Sequence, residues 1–161
     1  MQAAFVNKET ALEKIKYYCA YQERSHFEVN NKLFQMGVSK TLRGEIMTEL
    51  ISAGILNEER FATLFAGGKF RMKSWGKIKI SQALFEKKVS KQNIQTALRS
   101  ISQTDYEKSI NKLAEKKWNS FRTKNKYINK QKTYDYLLQK GFEHAVIQKT
   151  LKNLGEKNNK D

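Results

Sequence analysis

The sequence predicts an all-α protein, an elongated array of three tandem three-helix repeats with about nine helices. Composition is the first reason. Apolar residues are 39% of the 161, charged residues are 29% and there is no proline, which suits a surface-rich shape more than a sphere around one large core. Repetition is the second. Leu33-Phe34-Gln35-Met36-Gly37-Val38 recurs as Leu84-Phe85-Glu86-Lys87-Lys88-Val89 and again as Leu137-Leu138-Gln139-Lys140-Gly141-Phe142, at spacings of 51 and 53 residues. Val38-Ser39-Lys40 likewise returns as Val89-Ser90-Lys91. Each copy is followed by apolar residues at helical spacing, namely Leu42/Ile46/Leu50, Ile94/Leu98/Ile101 and Ile147/Leu151. Three copies of such a period mark a helical repeat.

The first repeat is assigned to residues 1–56. Leu12, Ile15 and Cys19 share a helical face. Ser25-His26-Phe27-Glu28 reads as a capping box that opens a second helix through Val29 and Leu33, closed at Gly37. Ser39 caps a third helix ending near Gly54. The second repeat, 57–102, starts at Asn57 as an N-cap, with Glu58 and Glu59 favouring the helix dipole. Phe61, Leu64 and Phe65 are its expected buried stripe, and Gly67-Gly68 is expected to weaken the helix and admit another backbone. Ser74-Trp75-Gly76 is a joint in which Trp75 acts as a wedge. Further helices pass through Ile80 and Leu84, then from Ser90 to Ile101. The third repeat, 103–154, opens with an expected capping box at Thr104-Asp105-Tyr106-Glu107. Ile110, Leu113, Ala114 and Trp118 form its stripe, 119–125 a loop, Tyr127–Lys140 a helix stopped at Gly141, and a last helix ends at Gly155. Residues 155–161 are expected to be a mobile polar tail. The repeated apolar positions are read as core.

Several classes of function drop out. No run of 18 apolar residues predicts a membrane span, and residues 1–14 lack the apolar region of a signal peptide. One cysteine, Cys19, and two distant histidines, His26 and His144, make a disulfide framework or a zinc site improbable. No P-loop, dinucleotide fingerprint, H-E-x-x-H or nucleophile elbow is present. A non-catalytic, cofactor-free, cytoplasmic monomer is expected.

Charge is the positive signal. Residues 1–60 hold eight Lys/Arg and eight Asp/Glu, whereas 61–161 hold 23 and eight, so the whole net charge of +15 lies after Arg60. Such a field attracts a polyanion. One cluster gathers Lys69, Arg71, Lys73, Lys77 and Lys79 around Trp75, followed by Lys87 and Lys88. The other holds Lys116, Lys117, Arg122, Lys124, Lys126, Lys130 and Lys132, interleaved with Trp118, Phe121 and Tyr127. Trp118 and Tyr127 are read as core aromatics. Lysine dominates, and an ammonium is a point charge without arginine's bidentate fork. Contact with single- or double-stranded DNA independent of sequence, or with an acidic protein surface, is the expectation.

These residues resemble a known family. Arg24-Ser25-x-x-Glu28-Val29-x-x-Lys32-Leu33, the junction Gly54-Ile55-Leu56-Asn57-Glu58-Glu59-Arg60-Phe61-Ala62, the pair Trp75-Gly76 before Lys77-Ile78-Lys79-Ile80, and Leu137-Leu138-x-x-Gly141-Phe142 are similar in order and spacing to RecX regulatory proteins, over about residues 9–154. The family usually has proline after the aromatic-glycine pair, where this chain has Lys77; proline at a first helical position fixes φ at no loss. The resemblance implies a modulator, usually an inhibitor, of the RecA recombinase in homologous recombination, DNA repair and the SOS response. It implies a protein lying in the groove of the RecA–DNA filament and hindering ATPase, strand exchange and co-protease functions. A stand-alone, sequence-independent DNA-binding protein and a helical adaptor for an acidic protein are the alternatives.

Overall fold

A computed structural model describes residues 6–160 of the chain. Residues 1–5, at the start of the expected first repeat, and residue 161, at the end of the expected tail, lie outside the described residues. Among the described residues there are α-helices and no strands. In order the helices are α1 Lys8–Tyr21, α2 His26–Gln35, α3 Lys40–Ser52, α4 Glu58–Lys73, α5 Lys77–Glu86, α6 Lys91–Arg99, α7 Gln103–Asn119, α8 Lys126–Gln139 and α9 His144–Asn158.

The chain forms two compact units. Among the described residues, one comprises those up to Phe65 with Leu84–Ala97, and the other Ala66–Ala83 with those from Leu98 on. Helices α4 and α5 thus each contribute to both.

In the first unit α1, α2 and α3 bury Ala11, Ile15, Val29, Leu33, Val38, Ile46, Leu50 and Leu56, with Leu12 and Cys19 partly covered. Burying a Leu or Ile side chain stabilises by roughly 1.5–3 kcal/mol, so this set carries the unit. Burial pushes the Cys19 thiol above its usual range, which suits a small packed residue. The Ser25–Glu28 capping box is complete: Ser25 Oγ accepts from the Glu28 N–H, and Glu28 Oε2 accepts from the Ser25 N–H. Arg24 lies 3.8 Å over the Tyr18 ring. Asn57 Oδ1 accepts from the Arg60 N–H, and the Arg60 guanidinium pairs with Glu23 at 2.6 Å and reaches the Gly54 and Ile55 carbonyls. Glu58 Oε2 accepts from the Ser90 N–H and the Asn93 amide. The polar residues of the junction motif, Asn57, Glu58 and Arg60, are therefore caps and clasps.

The repeat pattern resolves into a core half and a surface half. Leu33, Leu84 and Leu137 are buried, as are Val38, Val89 and Phe142. The second members, Phe34, Phe85 and Leu138, are exposed in all three copies, which corrects their reading as core. Neighbouring helical residues lie about 100° apart, so only one of each pair faces inward. Leu64 is also exposed, because the face that buries Phe61, Ala62 and Ala66 turns it outward.

Other expectations change for local reasons. Helix α4 runs unbroken through Gly67-Gly68. A Cβ on Gly67 would meet the movable Arg71 guanidinium, and one on Gly68 would meet open space, so no second backbone enters there. The cap of α7 is Ser102, whose Oγ accepts from the Asp105 N–H, two residues before the expected Thr104. Helix α9 passes through Gly155 to Asn158.

The ends of α2, α5 and α8 share one device. Gly37 (φ 81°), Lys88 (φ 61°) and Gly141 (φ 90°) occupy the same repeat position, and each takes the left-handed turn that closes a helix. The next caps correspond as well. Ser39 and Ser90 accept from the N–H groups three residues on, whereas their counterpart Glu143 makes no side-chain cap to α9.

Candidate nucleic-acid and partner interface

The second unit is built around the joint between α4 and α5. Ser74 takes a positive φ of 54°, and Ser74-Trp75-Gly76 leave helical geometry. The first donors of α5 are then satisfied from outside the helix. The N–H of Gly76 donates to the Lys140 carbonyl at 2.7 Å, that of Lys77 to the Tyr106 hydroxyl at 2.9 Å, and that of Ile78 to the Gly141 carbonyl at 2.9 Å. The amino end of α5 thus meets the carboxyl end of α8, pairing orphan donors with orphan acceptors and opposing dipole ends. In return the Lys140 ammonium donates to the Lys73 carbonyl in the last turn of α4. Glycine is required at both contact points. A Cβ on Gly76 would strike the Gly141 carbonyl and the Phe142 nitrogen, and one on Gly141 would strike Lys79.

Tyr106 is the buried pin of this joint. Its ring stands 5.9 Å from Phe70 and 5.3 Å from Phe142, with the Lys77 ammonium 4.8 Å from its centroid. Its hydroxyl accepts from Lys77 and donates to the Glu143 carboxylate. Burial, reinforced by Glu143, pushes that hydroxyl far above the usual tyrosine range and keeps it neutral. Glu143 has exchanged its capping role for this bond.

The joint gathers cations. Lys69 and Lys79 place their ammonium groups 5.1 and 4.8 Å from the Trp75 ring centre, within cation–π range. Half-buried Trp75 is therefore a cation platform. Burial, then the Lys79 and Lys73 charges, holds the Lys140 ammonium below the usual lysine range. Lys140 thus joins Lys69, Lys73 and Lys79 here, although a single lysine before a glycine carries no sequence signal for it. Arg71 and Lys73 are exposed on the last turn of α4.

Lys87 and Lys88 belong to the first unit. Lys87 pairs with Glu28 at 2.8 Å, with its ammonium 5.8 Å from the Phe65 ring, so its charge is engaged. Lys88 is exposed.

The later cluster lies in the second unit. Phe121 is flanked by the ammonium groups of Lys117 at 5.7 Å and Lys132 at 5.6 Å, and Lys117 also stands 4.8 Å from Tyr136. Lys116, Arg122, Lys124 and Lys130 are exposed, and Lys126 donates to Asn159 Oδ1 at 2.7 Å. Trp118 is half-buried. Tyr127 is not core: it is 81% exposed. Helix α8 buries Asn129, Thr133 and Leu137, and a residue two places before Asn129 points to the opposite side. Two polar residues in that buried stripe hide its period from a search for apolar residues. Among the described residues no group of three or more metal-ligating side chains occurs, and no helix is long and apolar enough to cross a membrane.

Helices in threes, linked by recurring left-handed closures, with a cation-lined joint in the second unit, define an all-α protein of three-helix repeats. Known proteins make the class specific. The description "RecX, second three-helix domain" matches residues 57–98, and "RecX, third three-helix domain" matches residues 105–151. The chain is 30% identical over 132 residues to the regulatory protein RecX of Chlorobium phaeobacteroides, covering 81% of this chain and 83% of that one. To the regulatory protein RecX of Clostridium perfringens it is 31% identical over 129 residues, covering 79% of this chain and 60% of that relative, so it spans less than two thirds of that length. The crystal structure of RecX from Lactobacillus salivarius superposes with a TM-score of 0.87 at 22% identity, over 92% of this chain and 96% of that one, and shares the fold. The chain belongs to the RecX family of regulatory proteins.

Proposed function

We propose that the chain regulates the RecA recombinase without catalysis, as an inhibitor that binds the RecA–DNA filament through its basic surface. In this reading it acts as a cytoplasmic monomer on homologous recombination and repair. The observation that carries the reading is the charged joint, where Lys69 and Lys79 stand over Trp75 and Lys140, beside the Lys79 and Lys73 charges, is fastened to the last turn of α4. Arg71 and Lys77 extend this first contact surface, and the cations from Lys116 to Lys132 form a second. Ammonium groups on a fixed frame suit the phosphates of a nucleic-acid backbone or carboxylates on a filament. Family membership supports the choice of RecA as partner.

Co-sedimentation tests this with four arms: DNA alone, RecA alone, both, and neither. At moderate salt the protein is expected to pellet with the RecA–DNA filament more than with either component. Equal affinity for naked DNA, falling by about a thousandfold between 50 and 200 mM salt as for six or so phosphate contacts, would instead identify a stand-alone DNA-binding protein.

A further inference from the structure

A second stripe on α8 has no part in the core. Tyr127, Lys130, Gln131 and Tyr134 fall at i, i+3, i+4 and i+7, one face of a helix. With Gln148 and Leu151 of α9 they line a groove of about 410 Å³. Tyr127 is 81% exposed, so its ring faces are open to a partner. Tyr134 has its orientation set by His144: its hydroxyl bonds the His144 Nδ1, and the two rings meet at 78° with centroids 5.6 Å apart. Leu151, 3% exposed, belongs to the packed interior at the wall of the groove.

We propose that this groove stacks the unpaired bases of a single nucleic-acid strand. Charge selects a polyanion as occupant. Residues 116–132, which run into the groove, contain seven lysines and arginines and no acid. The one carboxylate close by on α8, Asp135, accepts from the Gln131 amide at 3.1 Å. The aromatics then select among polyanions. Two tyrosines about 10 Å apart, two turns of α8, offer π-faces to successive bases, and Lys130 stands between them for the linking phosphate. Stacking on tyrosine tolerates any base, as sequence-independent binding requires. A duplex hides its base faces and gains nothing from the tyrosines. An acidic protein would meet the lysines, but it offers no succession of π-faces to the two rings. The proposal rests on the second basic cluster being a nucleic-acid contact, and adds the strand state that it prefers.

Fluorescence anisotropy of the full chain against a labelled oligo(dT) and a duplex of matched charge tests it, with circular dichroism confirming that each variant remains helical. Tyr127→Ala is expected to weaken single-strand binding about tenfold or more while leaving duplex affinity within about twofold, and Tyr127→Trp to restore it. The dependence on salt should stay unchanged, since no phosphate contact is removed. Equal losses on both nucleic acids, or no loss on either, would overturn the stacking site. The pair Lys130→Glu and Lys132→Glu separates the two readings. Weakening of both nucleic acids by this pair, with Tyr127→Ala silent, removes stacking and keeps the charged contact. No effect of the pair on either removes the contact itself and the proposal with it.

Discussion

The backbone N–H of Lys77 donates to the hydroxyl of Tyr106 at 2.9 Å, at the position where the family pattern leads one to expect proline. Proline has no N–H to give. This chain therefore forgoes a preset φ and gains a bond that ties the start of α5 to a buried tyrosine and, through it, to Glu143. Tyr106→Phe leaves the Lys77 donor and the Glu143 carboxylate unpaired and is expected to cost about 1–3 kcal/mol, read by urea denaturation. In a Lys77→Pro background the same change should cost about 1 kcal/mol less, because one of the two partners is already gone. Equal costs in both backgrounds would show that the N–H contributes nothing.

Lys88 holds a left-handed φ of 61° where the other two repeats use Gly37 and Gly141. A side chain strains that conformation by about 1 kcal/mol or slightly more. Lys88→Gly is accordingly expected to stabilise the fold by about 1 kcal/mol in thermal or chemical denaturation. Gly37→Ala, tested alongside, should destabilise by a similar amount.

Gly76 has no room for a methyl group, since the groups in the way are the Gly141 carbonyl and the Phe142 nitrogen. Backbone cannot swing aside as the Arg71 side chain can at Gly67. Gly76→Ala is expected to cost about 3 kcal/mol or more, whereas Gly68→Ala, facing open space in mid-helix, should be neutral or stabilising. Hydrogen exchange in α5 and α8 would localise the Gly76→Ala loss to the clasp.

Glu28 supplies a pH test. Burial alone would raise its carboxyl, but the hydrogen bonds from the Lys87 ammonium and the Ser25 N–H outweigh burial and hold it below the usual glutamate range. A depressed carboxylate stabilises the fold at pH above its unfolded value, near 4.3, and that contribution disappears as pH falls through the folded value. Glutamine also suits this third position of a capping box, so Glu28→Gln isolates the charge. The variant is expected to lose less than about 1 kcal/mol at neutral pH, the pair being partly exposed, and to show a flatter decline below pH about 4. Parallel acid curves for the two proteins would contradict the pairing.

The repeat register was legible because Leu33, Leu84 and Leu137 recur with their closing turns, and both Ser25 and Asn57 announce helix starts in residue types that cap. The charged joint was legible as a cluster. Its geometry was not. Lys77 meets Tyr106 across 29 residues, Tyr106 meets Glu143 across 37 and Lys140 meets Lys73 across 67, and no local pattern encodes a contact that folding alone creates. Tyr127 is exposed for a reason the residue types conceal: the buried face of α8 runs through Asn129 and Thr133, two polar residues that do not mark a core side.

Inhibition of RecA's DNA-dependent ATPase by Lys69→Glu, Arg71→Glu, Lys73→Glu tests the regulator reading most directly. The triple variant carries its changes on the last turns of α4 and outside the Tyr106 core, so circular dichroism should remain helical. Inhibition is expected to weaken by about tenfold or more, as for the loss of three charge contacts with a polyanion. Unchanged inhibition by a helical triple variant would remove the joint from the contact surface and contradict the proposal.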